Sequence, residues 1–196
     1  MNRRWLTLVW VAVASTAQAE CTGSDGSTLS LKEFERRVQE IHKADYPELT
    51  RATVRVAEFE SDDSFLQAQP ARSSLFSEPL ERTYEIQVNP RLFECPPTSE
   101  ALSAILHHEF EHLVDYTEWS GLGIIGHGTR YVLSKRFRIE YERKTDLKTL
   151  KKGFASGLIA YREWLYPRLT PRQLEEKRET YYTPEEIREW LEAERP

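Results

Sequence analysis

Residues 98–120 read TSEALSAILHHEFEHLVDYTEWS, and this stretch decides the fold. Leu102, Ile105, Leu106, Leu113 and Val114 recur at helical spacing, with no breaker between Thr98 and Ser120. Pro96-Pro97 and the hydroxyls of Thr98 and Ser99 form a start signal, and Glu100 suits the positive end of the helix dipole. Ser120-Gly121-Leu122-Gly123 supplies the stop. Inside this expected helix lies His108-Glu109-Phe110-Glu111-His112, of the form H-E-x-x-H. Imidazoles four residues apart stand one above the other on one helix face, the arrangement needed to grip a small cation. Glu109, one step round the helix, sits beside such a cation, where its carboxylate can take a proton from water held at the metal. His107 points about 100° away from His108 and makes a poor further ligand.

A catalytic metal site of this kind needs a third protein ligand. Downstream, Glu140-Tyr141-Glu142-Arg143-Lys144-Thr145-Asp146 is again helical in character, with Glu142 and Asp146 on one face. On the residues alone, Glu140 and His127 are rivals to Glu142. Together the two elements resemble the gluzincin metallopeptidases, whose ligands are the two His of H-E-x-x-H and a Glu from a later E-x-x-x-D element. The resemblance covers residues 80–160 or so and runs through Asp146-Leu147 to Gly153-Phe154, a segment similar to that of the small, thermolysin-like minigluzincins. It implies Zn2+ held by His108, His112 and Glu142, with Glu109 as general base. It further implies that Asp146 bonds the outer nitrogen of a ligating His, His108 foremost, and fixes its tautomer. Such enzymes add a Tyr, His or Arg donor for the oxyanion, and His127, Tyr131 and Tyr141 are the candidates. A metzincin pattern is excluded, since position 115 is Asp and position 118 is Glu where that pattern has Gly and His.

The expected function is therefore zinc-dependent hydrolysis of peptide bonds in a peptide or protein substrate. The alternatives are a non-catalytic metal-binding or protein-interaction module that keeps a zincin-like site, and a zinc-free partner-binding domain in which the motif is accidental. Cell-wall peptides, exported proteins and a self-cleaved segment are all open as substrates.

The 196 residues suffice for one domain with a real core. Met1-Asn2-Arg3-Arg4 is a basic lead, Trp5 to Ala14 an apolar run, and Ala17-Gln18-Ala19 a small-residue cleavage site. Residues 1–19 thus read as a secretory signal, which places the chain in a periplasm or outside the cell. The run is too short for a comfortable membrane span, and no later segment is apolar enough for one. Glu20 before Cys21 is wrong for lipidation. Losing Arg3 and Arg4 takes the formal charge from -5 to -7, and no basic patch stands out, which excludes nucleic acid as a partner. Cys21 and Cys95 are the only cysteines, and export predicts that they pair. Such a bond adds about 4 kcal/mol by loop entropy.

The expected fold class is α+β: a small antiparallel sheet packed on a mainly helical, zincin-like core. Residues 20–28 read as an exposed lead-in. Leu31, Phe34, Val38 and Ile41 mark an amphipathic helix over 29–44, with His42 a surface or capping residue. Alternation predicts strands at 51–59 and 82–88, separated by a polar loop over 60–79. An antiparallel pair of these strands also fits the resemblance, in which an edge strand above the metal helix binds an extended peptide; the 82–88 or the 53–59 strand is expected to do so. The four glycines of 120–128 predict a loop, either a lid or a simple connection. Helices are expected over 131–152 and 154–165, closing a metallopeptidase-like domain of residues 20–169. In the extension 170–196, Thr170-Pro171 and Thr183-Pro184 each start a short helix that packs on the domain and offers a surface to a partner protein.

Overall fold

The computed structural model describes residues 29–194. The signal at 1–19, the lead-in at 20–28, and Cys21 with its expected bond to Cys95 lie outside the described residues. The chain runs α1 (Leu31–Asp45), β1 (Thr53–Glu58), β2 (Leu66–Pro70), β3 (Thr83–Val88), α2 (Arg91–Glu94), α3 (Ser99–Thr117), α4 (Gly121–Leu133), α5 (Lys135–Lys151), α6 (Ala155–Leu165), α7 (Pro171–Thr180) and α8 (Pro184–Ala193). The class is α+β, mainly helical with one small sheet.

The sheet is mixed, not antiparallel, with order β1-β3-β2. β1 and β3, the two expected strands, run parallel from Thr53↔Thr83 to Glu58↔Val88. β2 lies within the stretch expected to be a loop and pairs antiparallel with β3 from Leu66↔Val88 to Pro70↔Tyr84. The physical reason is local pairing. β2 folds back on β3 and takes one side of it, which leaves β1 the opposite side, pointing the same way as β3. With both its sides filled, β3 cannot receive a peptide at an edge, which removes the 82–88 strand from that role. The bonds Asn89 N–H to Phe65 O (2.9 Å) and Ala71 N–H to Thr83 O (2.8 Å) fix the parity of β2. Odd-numbered residues pair with β3, so the backbone groups of Leu66 and Ala68 point to the free edge.

α3 is the axis of the molecule. The Thr98 hydroxyl caps it by accepting from Ala101 N–H (3.2 Å). Its far end is held by Arg82, a fully buried strand-end residue whose Nη1 donates to Tyr116 O (3.1 Å) and Trp119 O (2.8 Å). Phe34 and Val38 of α1, Tyr84, Ile86 and Val88 of β3, and Leu102, Leu106, Phe110 and Leu113 of α3 share one core. A second cluster joins Ala104 of α3 and Leu150 of α5 to Leu158 of α6 and Ile187 of α8, so the extension is part of the body. Both capping boxes of the extension form, at Thr170–Gln173 and Thr183–Glu186.

The glycine segment at 120–128 is helix, not loop. The Ser120 hydroxyl accepts from Gly123 N–H (3.2 Å) and starts α4, which ends where Ser134 begins α5. Leu122, Ile125, Val132 and Leu133 of α4 are exposed. Among the described residues no helix is long and apolar enough to cross a membrane.

Two glycines test this packing in opposite directions. A Cβ at Gly157 of α6 would stand 2.6 Å from the Ala104 methyl and 2.7 Å from Glu100 O of α3, whereas one at Gly126 would meet nothing within 4 Å. Gly157→Ala is expected to destabilise by about 1–3 kcal/mol despite its better helix propensity. Gly126→Ala should stabilise by about 0.5–1 kcal/mol. Urea denaturation of both variants measures the two signs.

Candidate metal centre

His108 and His112 project from one face of α3, and Glu142 meets them from α5. Glu142 Oε2 lies 3.3 Å from Nε2 of His108 and 3.3 Å from Nε2 of His112. In a tetrahedral site with bonds of about 2.0–2.1 Å, neighbouring ligand atoms stand about 3.3–3.4 Å apart. One ligand atom from each of the three residues lies within 4.8 Å of the others, and all three residues are buried. This group can hold a metal ion. Glu140 is not part of it: its side chain is 60% exposed and pairs with Arg136. His107 is turned away, its Nδ1 2.8 Å from Ser103 O, its Nε2 3.1 Å from Asp45, its ring stacked on Phe154.

His108 has a carboxylate at each ring nitrogen. Glu142 faces Nε2, and Asp146 Oδ1 stands 2.9 Å from Nδ1, oblique to the ring's N–H axis. A neutral imidazole has one donor and one acceptor nitrogen, so it cannot satisfy both carboxylates. Burial opposes a charge on His108, but Asp146 and then Glu142 outweigh it and push its pKa up to about 10. The two carboxylates therefore favour positive charge here, which a proton on the ring or a metal ion at Nε2 would supply. A metal there leaves Nδ1–H to face Asp146, the outer partner that orients metal-bound histidines. Asp146 is itself fully buried and held by Arg162 Nη2 (3.1 and 3.2 Å) and by the Tyr182 N–H (2.9 Å).

The other predicted residues gather here too. The Tyr131 hydroxyl donates to Glu142 Oε1 (2.5 Å), and the Tyr141 hydroxyl lies 3.0 Å from His112 Nδ1. Both tyrosines are thus occupied with the ligands. His127 stacks on Trp119 (4.3 Å) and packs edge-on against Tyr141, and its buried Nε2 has no hydrogen-bond partner among the described residues. It lies near the ligands and not among them. Glu109 is buried, lines the same cleft, and its carboxyl is pushed up by burial, partly offset by His112 and His108.

These side chains floor a cleft of about 410 Å3. Leu66, Gln67, Ala68 and Gln69 of β2 form one wall, and His127, Gly128 and Val132 of α4 contribute to another. No β1 residue lines it. The strand over α3 is therefore β2, within the 60–79 stretch expected to be a loop, and neither 53–59 nor 82–88 takes that place. Tyr116 of α3 donates to Ala68 O (3.3 Å), so the two elements are tied.

No protein family, curated protein or solved structure matches this chain.

The donor set of two imidazoles and one carboxylate suits a borderline ion. One equivalent of zinc is expected to raise the melting temperature, with stabilisation of about 2.7 kcal/mol at a hundredfold excess over Kd. Glu142→Ala should abolish that shift and Glu140→Ala should leave it intact. Asp146→Asn should weaken binding by about 10–100-fold. Thermal melts with and without zinc, on protein freed of affinity tags, read all three.

Proposed function

We propose that this chain is a zinc metallopeptidase of the gluzincin type, acting outside the cytoplasm. The observation that carries this reading is the convergence of Glu142 Oε2 on both imidazoles in a cleft that Glu109 also lines. A divalent ion held by His108, His112 and Glu142 supplies Lewis acidity, polarising the scissile carbonyl and bringing the acidity of water towards neutral.

The remaining chemistry belongs to the chain. Glu109 takes the proton of the attacking water and passes it to the leaving amine, a role helped by burial, which brings its pKa closer to neutrality. Among the described residues its carboxyl makes no hydrogen bond that would have to break first. His127 donates to the oxygen that gains charge, because its Nε2 is uncommitted while Tyr131 and Tyr141 are engaged with the ligands. Tyr131 and Asp146 hold Glu142 and His108 in place. An extended peptide adds to β2 through the outward backbone groups of Leu66 and the N–H of Ala68, whose carbonyl already accepts from Tyr116, a pairing that selects for backbone and not for side chain. The reading includes removal of residues 1–19 and a Cys21–Cys95 bond. Such a bond would anchor the start of the mature chain beside α3.

Glu109→Gln is the decisive variant. It should keep the zinc-induced rise in melting temperature and lose about 10²–10⁴-fold in kcat against a peptide library. Retained turnover removes Glu109 from the mechanism. Zinc binding by a wild-type protein that cleaves no peptide leaves a metal-binding module in place of an enzyme.

A further inference from the structure

A second, much smaller cavity adjoins the cleft and shares Ser64, Leu66, His108, Glu109 and Tyr181 with it. Its volume is about 30 Å3. A water needs about 10–15 Å3 on this measure, so the space suits a group of two or three heavy atoms. An aromatic or long aliphatic side chain does not fit.

Two cations line this space, and both are underused. Lys177 of α7 is 15% exposed at its side chain, with its Nζ 3.3 Å from Ser64 Oγ and 3.8 Å from Asp63 Oδ2. Asp63 is 42% exposed, so water competes for that pair. Burial pushes the Lys177 ammonium below its ordinary range, as expected of a charge short of partners. Arg162 of α6 is 2% exposed. Its Nη2 serves Asp146, while its Nε is buried with no hydrogen-bond partner among the described residues. The guanidinium is fixed between aromatic rings, 4.7 Å from the centre of Tyr181 and 5.6 Å from that of Tyr161. A buried donor left unmade is costly, and the Nε–H of a rigid guanidinium is a charge-assisted donor suited to a carboxylate oxygen.

We propose that this cavity is a carboxylate-binding subsite, in which Lys177 and the Nε–H of Arg162 receive a negative group carried by the substrate next to the scissile bond. The inference rests on the peptidase reading and narrows it to one substrate class: peptides that present a carboxylate beside the bond to be cut. That carboxylate comes either from an acidic side chain or from a free C-terminus. The C-terminal extension is then part of the enzyme, since α7 carries Lys177 and the residue after it in the wall, Tyr181, closes the cavity.

Matched peptides distinguish the two sources. One pair carries Glu or Gln directly after the scissile bond, with the C-terminus amidated. The other pair ends one residue after the bond, as free acid or as amide. At least one acid should exceed its neutral partner in kcat/KM by about tenfold or more. Lys177→Met should erase that ratio while leaving the neutral peptide within about threefold, and Lys177→Arg should restore much of it. If Lys177 merely tethers the segment around Asp63 to α7, the Met variant melts earlier and keeps the ratio, which overturns the subsite. Equal rates for acid and neutral peptides in the wild type overturn it as well.

A binding measurement separates this inference from the peptidase reading. N-acetylglycine, titrated into zinc-loaded full-length chain and followed by NMR, should bind the wild type about tenfold more tightly than the Lys177→Met variant. Equal affinity sinks the subsite, because binding through zinc alone would survive the substitution. A tenfold difference in a protein that cleaves no peptide keeps the subsite and discards the hydrolase.

Discussion

Four parts of the chain meet at the carboxylate of Asp146. It faces His108 of α3 and belongs to α5. It accepts from Arg162 of α6 and from the backbone N–H of Tyr182, between α7 and α8. A fully buried carboxylate costs several kcal/mol in lost hydration, and that cost is offset only if every lone pair is met. Arg162 is subject to the same constraint from the other side. The pair therefore holds α6 and the extension against the back of the His108–His112–Glu142 group. The same packing brings Ile187 into one apolar cluster with Leu158 and Ala104. The site and the second core cluster stand or fall together.

The charge balance around the ligands explains why this region is polar and yet ordered. Glu142 is held well below the usual carboxylate range by the two imidazoles despite burial, and Asp146 is lowered by Arg162 and His108 against the same penalty. Glu109 is the exception, raised where its neighbours are lowered. Burial acts on all three carboxyls, but among the described residues Glu142 and Asp146 have hydrogen-bonded partners and Glu109 has none. That difference separates groups that hold from a group that can exchange a proton.

Much of this was legible in the residues. Helical spacing located α1, α3, α5 and α6 to within a few positions, and the Thr-Pro pairs marked both helices of the extension. H-E-x-x-H and Glu142 with Asp146 led to the three side chains that converge. Three things were hidden, each for a physical reason. Leu66-Gln67-Ala68-Gln69-Pro70 has the alternation of a strand, but its polar members bond to Gln87 and Glu85 across the sheet, a tertiary contact no local rule reveals. Strand direction depends on β2 filling the antiparallel side of β3, and β1 carries no local mark of it. The glycines of α4 disguise a helix whose start is set by Ser120. A signal for Arg162 did exist. It falls four residues after Leu158 and one after Tyr161, on the buried stripe of α6, where an arginine needs a buried partner. Lys177, three residues after Leu174, sits on the inward side of α7 in the same way.

The sequence HHEFEH contains two overlapping chelating pairs, and only one of them faces Glu142. His107 and Glu111 are also one turn apart. The fold quenches that decoy completely: Asp45 and Ser103 occupy both nitrogens of His107, while Lys152 (2.6 Å) and the Tyr46 hydroxyl (3.1 Å) occupy Glu111. The Asp45–Tyr46 turn packs against the back of the helix and engages the His107–Glu111 pair, so an ion reaching the folded chain would meet only His108 and His112 facing Glu142.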